Sequence, residues 1–217
     1  CKDRSIRHQE RGIDYLHQGE YDKAITEFTM SLEMKPWVME AYFNQALAYH
    51  RKTEYDRAIS DYSTAIEINP LHAKARASRG LVYQAKGEYE QAFSDYAQAI
   101  KLDPKYIDAY IWRGNAYCEK GDYDRAISDY TRVLKEYPAY ADVYYRRAGA
   151  FYEKREYVRA IADFSRVIEL DPEHADAHVW RGNAFDAEAD YDKAVSDYTR
   201  ALEINQRYAL AYYNRGR

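Results

Sequence analysis

The stretch GDYDRAISDYTRVLKEYP, residues 121–138, has two close copies earlier in the chain. Residues 87–104 read GEYEQAFSDYAQAIKLDP, and residues 53–70 read TEYDRAISDYSTAIEINP, so the copies begin 34 residues apart. The prolines keep the same spacing of 34 residues: Pro36, Pro70, Pro104, Pro138 and Pro172. A fixed period of this size predicts a stacked array of one structural unit, in which the copies bury one another.

The period divides the chain of 217 residues into six full repeats and the beginning of a seventh. The six repeats are 5–38, 39–72, 73–106, 107–140, 141–174 and 175–208, and the partial seventh is 209–217.

Each repeat predicts two antiparallel helices, here called helix A and helix B. In repeat 4 the first stripe of residues at helical spacing is Ala109, Tyr110, Gly114 and Tyr117. The second stripe is Tyr123, Ala126, Ile127, Tyr130 and Leu134. Gly121 separates the stripes, and a short turn there forces the helices to lie antiparallel. The small Gly114 and Ala126 predict a close approach of the two helices, with tyrosines filling the space beside them.

The repeat boundaries carry Asn-Pro or Asp-Pro, as at Asn69-Pro70 and Asp103-Pro104. Proline disfavours the helical conformation of the residue before it, so helix B is predicted to end there. We also expect the Asn or Asp to cap the next helix, with proline at its first position.

The pattern resembles that of the tetratricopeptide-repeat proteins over residues 5–217. In repeat 4 the matching residues are Tyr110, Gly114, Tyr117, Ala126, Tyr130 and Pro138. The resemblance implies an all-α fold: one domain, residues 1–217, forming a right-handed superhelical solenoid of stacked antiparallel helix pairs. It also implies that helix A lines a concave groove that binds a segment of a partner protein.

One departure from the family pattern is regular, because arginine replaces the usual leucine before the small residue of helix A. The arginines are Arg11, Arg79, Arg113, Arg147, Arg181 and Arg215. Arginine can lay its stem on apolar surface while its charged head stays in water, which is the arrangement we expect here.

Aromatic side chains that the repeat pattern does not require are candidates for partner binding. With helix A on the groove, as the resemblance implies, these are Phe43, Trp112, Tyr145, Tyr152, Trp180 and Tyr213. Arg146 shares the repeat position of Trp112 and Trp180, and Asn115 and Asn183 lie one turn further on. Trp, Tyr and Arg are enriched at interface hot spots, and asparagine can bond a partner's backbone. The alternative is that these aromatic residues fill the core between repeats.

The remaining signals argue against other classes of function. The formal net charge is −4 without a basic run, and no apolar stretch approaches a membrane span, so neither nucleic acid nor membrane insertion is indicated. We expect no catalytic residues, no cofactor and no metal: His174 and His178 are four residues apart, but His178 occupies the aromatic slot and His174 begins a helix. The charged strings that open helix B, such as YDRA, are interpreted as a solvated outer face.

The sequence therefore predicts a non-enzymatic scaffold or adaptor that binds a protein or peptide segment. Two alternatives stay open, a targeting segment of a larger multidomain enzyme and a structural array that self-associates through its open repeat ends. The compartment is not fixed. A cytoplasmic location is favoured, and a lipoprotein that begins at Cys1 is the alternative.

Overall fold

A computed structural model describes residues 3–207 and 209–216, and these form thirteen α-helices in consecutive antiparallel pairs without a β-strand. The prediction of an all-α fold is confirmed. Cys1, on which the lipoprotein alternative depends, lies outside the described residues. The chain divides into two compact units, Cys1–Trp112 and Arg113–Arg217, and the division falls inside the seventh helix. That the whole chain is one domain stays a prediction.

Unit 1 contains three complete helix pairs, and within these six helices each one packs on the next along the chain. Its helices are α1 (Arg4–His17), α2 (Tyr21–Met34), α3 (Met39–Arg51), α4 (Tyr55–Ile68), α5 (Ala73–Ala85), α6 (Tyr89–Leu102) and the first part of α7 (Ile107–Glu119). Phe28, Tyr62 and Tyr96 are its largest fully buried side chains.

Unit 2 repeats the arrangement with the second part of α7. Its other helices are α8 (Tyr123–Glu136), α9 (Ala141–Glu153), α10 (Tyr157–Leu170), α11 (Ala175–Ala187), α12 (Tyr191–Ile204) and α13 (Ala209–Arg215). One cluster of buried side chains, around Phe151, Phe164 and Val167, extends from α9 and α10 to α11. The core thus continues from one helix pair to the next.

The turn between helix A and helix B needs one residue in the left-handed region. Gly121 has φ 74°, as expected of the glycine that interrupts repeat 4, whereas Thr53 takes the same place with φ 61°. After the turn in repeat 4, the N–H of Asp122 donates to the carbonyl of Tyr117 at 2.8 Å. This bond closes the end of helix A and reverses the chain.

The repeat boundaries differ in part from the prediction. Helix α4 ends at Ile68, as expected, but the next helix begins only at Ala73. The Asn69 side chain accepts a hydrogen bond from the N–H of Leu71 at 3.2 Å and so closes a local turn. The cap of α5 is His72, whose Nδ1 accepts from the N–H of Ala75 at 2.9 Å. The prediction that Asn or Asp caps the next helix is therefore wrong, because two further residues are needed to complete the turn.

The arginines of helix A also differ from the prediction. In repeats 3 to 6 of the described chain, each donates two hydrogen bonds to an aspartate of helix B at 2.7–2.8 Å. The pairs are Arg79–Asp95, Arg113–Asp129, Arg147–Asp163 and Arg181–Asp197. The aspartates are 6–10% exposed and the arginines 17–21%. The prediction of solvated arginine heads is wrong here, since a buried carboxylate holds each one.

Repeat 2 interrupts this series. Gln45 takes the place of the arginine, and its Nε2 donates to Thr29 Oγ1 at 2.8 Å and to the carbonyl of Ile25 at 3.3 Å. The aspartate of the same repeat, Asp61, has a buried oxygen without a hydrogen-bond partner in the described chain. Burial raises the pKa of Asp61 to about 7.

The close approach of the paired helices is confirmed at the predicted small residue. A Cβ atom placed on Gly114 would lie 2.7 Å from Cε1 of Tyr130, and the Ala126 side chain is fully buried. Glycine therefore sets the distance at which the tyrosine ring of helix B packs on helix A.

Candidate partner-binding cleft

Unit 2 contains a cleft of about 430 Å³ between its successive A helices. Helices α9, α11 and α13 contribute most of its walls, and Tyr198 of α12 contributes the rest. The lining residues are Tyr152, Glu153, Trp180, Asn183, Asp186, Ala187, Tyr198, Leu210 and Asn214.

Most residues of the cleft occupy positions at which the repeats differ from one another, and Tyr198 is the exception, because every full repeat has Tyr or Phe at its position. Counted from the first residue of each repeat, position 6 reads Glu10, Asn44, Ser78, Trp112, Arg146 and Trp180. Position 9 reads Ile13, Leu47, Leu81, Asn115, Gly149 and Asn183, and position 12 reads Leu16, His50, Gln84, Cys118, Tyr152 and Asp186. Residues three apart share one face of a helix, so these positions form a single stripe along helix A. The scaffold is thus copied while this stripe varies.

Two aromatic rings form the apolar wall of the cleft. The rings of Tyr152 and Trp180 meet edge to face, with centroids 5.4 Å apart and an interplanar angle of 77°. Both are half-buried and pack against the core cluster around Phe151 and Phe164. They therefore fill space between two repeats and also face the cleft. One part of each ring thus packs on the core, as the core-filling alternative expects, and another part is available to a partner, as the binding prediction expects.

Asn183 supplies the central polar group. Its Oδ1 accepts from the Tyr198 hydroxyl at 2.9 Å and from Nδ2 of Asn214 at 2.7 Å. A similar arrangement occurs two repeats earlier, where Asn115 Oδ1 accepts from Tyr130 at 2.8 Å and from Arg146 at 3.3 Å, although repeat 5 has Gly149 at this position. Since these bonds use the oxygen, the Nδ2 of Asn183 keeps its donors for another acceptor.

The cleft is acidic. Glu153 and Asp186 line it, and among the residues that the structure describes no lysine or arginine does. Burial raises the pKa of Tyr152, and the neighbouring Tyr157, Glu153 and Asp186 raise it further. The phenol is therefore neutral, and the two carboxylates set the sign of the potential in the cleft.

The other predicted site residues lie elsewhere. The Tyr145 ring stacks on His174 at 5.1 Å and meets Phe164 at 5.7 Å, and burial raises its pKa to about 12. Arg146 is held by Asp142 at 2.8 Å and by Asn115. Tyr213, on α13, is 65% exposed.

Two predicted residues belong to unit 1. Trp112 is half-buried, and its ring meets Tyr106 at 6.1 Å. Phe43 is only 9% exposed and packs on Tyr62 and His72 within the core.

The two acidic residues of the cleft were not among the predicted site residues. Charged residues are common on helices, so Glu153 and Asp186 do not stand out by type. The variation at position 12, from Leu16 to Asp186, and at position 13, from His17 to Glu153, is the signal that identifies this part of the wall.

Other kinds of site find little support within residues 3–207 and 209–216. No group of three or more His, Cys, Asp and Glu side chains is arranged to hold a metal ion there. His174 caps α11, and His178 faces Asp197 at 3.1 Å. None of the described helices has the length and apolar character needed to cross a membrane.

Comparison with known proteins identifies the repeat. One tetratricopeptide-repeat model matches residues 111–175 and 157–209, a TPR-repeat model matches residues 85–118, and another tetratricopeptide-repeat model matches residues 39–72. The search of curated proteins found no match.

Solved structures share the fold at low sequence identity. YrrB, described as a TPR protein with an unusual peptide-binding site, has a TM-score of 0.74 at 22% identity, over 88% of this chain and 98% of that one. The pilF protein of Pseudomonas aeruginosa has a TM-score of 0.80 at 18% identity, over 98% and 96%. The C-terminal part of a TPR protein from Cytophaga hutchinsonii has a TM-score of 0.80 at 24% identity, over 90% and 78%. With the copied helix pairs and the matching family models, these likenesses show that the chain belongs to the tetratricopeptide-repeat proteins.

Proposed function

We propose that this protein is a non-catalytic scaffold or adaptor that binds a segment of a partner protein in the cleft of unit 2. Tetratricopeptide-repeat proteins in general bind protein partners and act as scaffolds without catalysis. The observation that carries the specific proposal is the cleft itself, which the variable positions of α9, α11 and α13 line. Variation along a face that lines a cleft in a copied scaffold is expected where that face determines which partner is bound.

The chemistry of the cleft supports the binding of an extended segment. Tyr152 and Trp180 offer half-buried rings of the kind that carry most binding energy at protein interfaces. Asn183 offers amide donors to a main-chain carbonyl of the partner. The peptide-binding site named for YrrB is a property of that protein, and it is consistent with this use of the fold.

From the predicted site residues we assign partner contact to Tyr152, Trp180 and Asn183. We propose that Asn115, Arg146 and Tyr145 support the binding surface without touching the partner. Asn115 and Arg146 are hydrogen-bonded to each other, and Tyr145 packs on the core. We propose no contact for Phe43, since its ring is almost wholly buried. Trp112 stays a candidate on unit 1.

The test is selection of a phage-displayed library of random 16-residue peptides on the immobilised protein, followed by titration of the selected peptides in solution. We expect binders whose affinity falls about ten-fold or more with Trp180→Ala and with Ala187→Gln, which places a longer side chain in the cleft. The matched control for the second variant is Ala85→Gln, because Ala85 ends α5 at the same repeat position and is also exposed. Trp37→Ala is the control for the first, since Trp37 is 69% exposed and lies outside any helix.

Circular dichroism shows whether each variant is folded, so a loss of binding can be separated from a loss of structure. An empty selection would contradict the proposed function. Binders that the cleft variants and their controls affect equally would contradict the location in unit 2.

A further inference from the structure

We propose that the cleft of unit 2 receives a lysine or arginine side chain of the partner segment. This inference rests on the proposed function and specifies the chemical class of its ligand.

The two carboxylates of the cleft, Glu153 and Asp186, lack an ion-pair partner within the described part of the chain. Many acidic side chains at the turns of this protein are paired, as Glu156 is with Lys154 and Arg159 at 2.6 Å. Glu153 and Asp186 have no ion-pair partner among the residues that the structure describes. Both carboxylates are exposed and lie beside the half-buried rings of the cleft, where they can attract a cation.

The two aromatic rings of the cleft differ from the scaffold rings in their contacts with cations. At position 11, the scaffold ring of each full repeat has a lysine or arginine of the protein within 4.0–5.9 Å of its centroid. These rings are Tyr15, Tyr49, Tyr83, Tyr117, Phe151 and Phe185. Tyr152 and Trp180, which face the cleft, have no such cation in the described chain. Tryptophan is the ring that attracts cations best, so the cleft offers a cation–π site without an internal occupant.

The lining of the cleft matches the shape of a long basic side chain. Leu210 and Ala187 give apolar contact for the methylene stem of a long side chain, while Glu153 and Asp186 reach its charged end. A volume of about 430 Å³ is near the lower limit for ligand pockets, which suits one or two side chains. Asn183 can then bond the main chain next to the inserted residue. Glutamate or aspartate in the same place would face two like charges.

The experiment uses the peptides selected on the full chain, each synthesised with single replacements. We expect one arginine or lysine in every binder to be essential, so that norleucine or citrulline at that position lowers affinity at least ten-fold. We also expect Glu153→Gln/Asp186→Asn to lower affinity about as much. The matched control is Glu169→Gln/Glu203→Gln, which changes the net charge equally on exposed residues of the B helices α10 and α12.

The outcomes separate this inference from the proposed function. Binders that need Trp180 but contain no essential cation would overturn the inference and leave the proposed function standing. Equal affinity of the cleft double variant and its control would do the same. An empty selection would overturn both. Sedimentation of the protein alone measures its oligomeric state. If the wild type is a dimer and Trp180→Ala is a monomer, a second copy of the protein occupies the cleft, and the inference is overturned.

Discussion

Each arginine–aspartate pair joins the two helices of one repeat by a forked contact that is mostly screened from water. In three pairs the arginine also donates to a hydroxyl of the preceding helix B, as Arg79 does to Ser63 at 2.9 Å. One side chain therefore ties three successive helices. The geometry requires a planar guanidinium, because a lysine has no fork with which to satisfy two carboxylate oxygens.

Repeat 2 contains every part of this contact except the arginine. Thr29 stands where Ser63 stands for Arg79, and Asp61 stands where Asp95 does. We expect Gln45→Arg to stabilise the protein by roughly 1–3 kcal/mol, because it satisfies a buried carboxylate. Urea unfolding measures the change. Gln45→Lys is the control and should gain less. A variant Gln45→Arg that is no more stable than the wild type would contradict the prediction.

Asp61 also predicts a pH dependence with a definite sign. Burial raises its pKa from 3.8 to about 7, so the folded state binds the proton more tightly than the unfolded state. Stability from this group is complete below about pH 4, falls as the pH rises towards 7, and is constant above that. The free energy of unfolding of the wild type minus that of Asp61→Asn should fall over this range. A flat difference would show that folding leaves the pKa of Asp61 unchanged, and a rising difference would show that folding lowers it, so either result would contradict the prediction.

At the scale of the helices, two glycines of helix A distinguish the effect of helix–helix packing on stability from the effect of intrinsic helix propensity. Gly114→Ala places a methyl group against the Tyr130 ring, whereas the space around Gly149 is open within 4 Å. Repeat 2 already carries Ala46 opposite Tyr62, so the helices can adapt at a modest cost. We expect Gly114→Ala to cost about 1 kcal/mol and Gly149→Ala to gain roughly 0.5–1 kcal/mol from helix propensity. Thermal unfolding of the two variants measures both changes in stability. Equal changes would contradict the prediction that packing limits only Gly114.

The helix pairs were predictable from the sequence because their signals are local. The 34-residue period, Gly121 and the Asn-Pro and Asp-Pro steps fix where each helix begins or ends to within a few residues. The Arg79–Asp95 pair could have been predicted from its recurrence at a spacing of 16 residues in later repeats. The sequence analysis did not predict this ion pair, because the charge of an arginine can also be solvated by water. Spacing alone does not decide between a solvated arginine and a paired one.

The cleft was predictable only in part. Tyr152, Trp180 and Asn183 were identified because their types are unusual at their repeat positions. The same reasoning selected Phe43, but its side chain is buried under His72. The position of Phe43 on helix A does not reveal this cover, so the sequence could not exclude it. Whether a neighbouring helix covers a side chain depends on the packing distance between repeats, which one repeat does not encode.

For the whole molecule, the prediction of one domain is a prediction of cooperative unfolding. Helix α7 contributes Ile107–Trp112 to unit 1 and Arg113–Glu119 to unit 2, and a helix that melts at one end loses support at the other. Repeat arrays in general couple each unit to its neighbours in this way. We therefore expect both units to unfold in one transition.

The three tryptophans allow a direct test, because Trp37 and Trp112 belong to unit 1 and Trp180 belongs to unit 2. Two variants that keep only Trp112 or only Trp180, with phenylalanine at the other positions, report on one unit each by fluorescence. Circular dichroism of the same samples corrects for any effect of the replacements on overall stability. The urea midpoints and slopes of the two reporters should coincide with each other and with the dichroism. A Trp180 transition resolved from the Trp112 transition would instead define two domains that meet within α7.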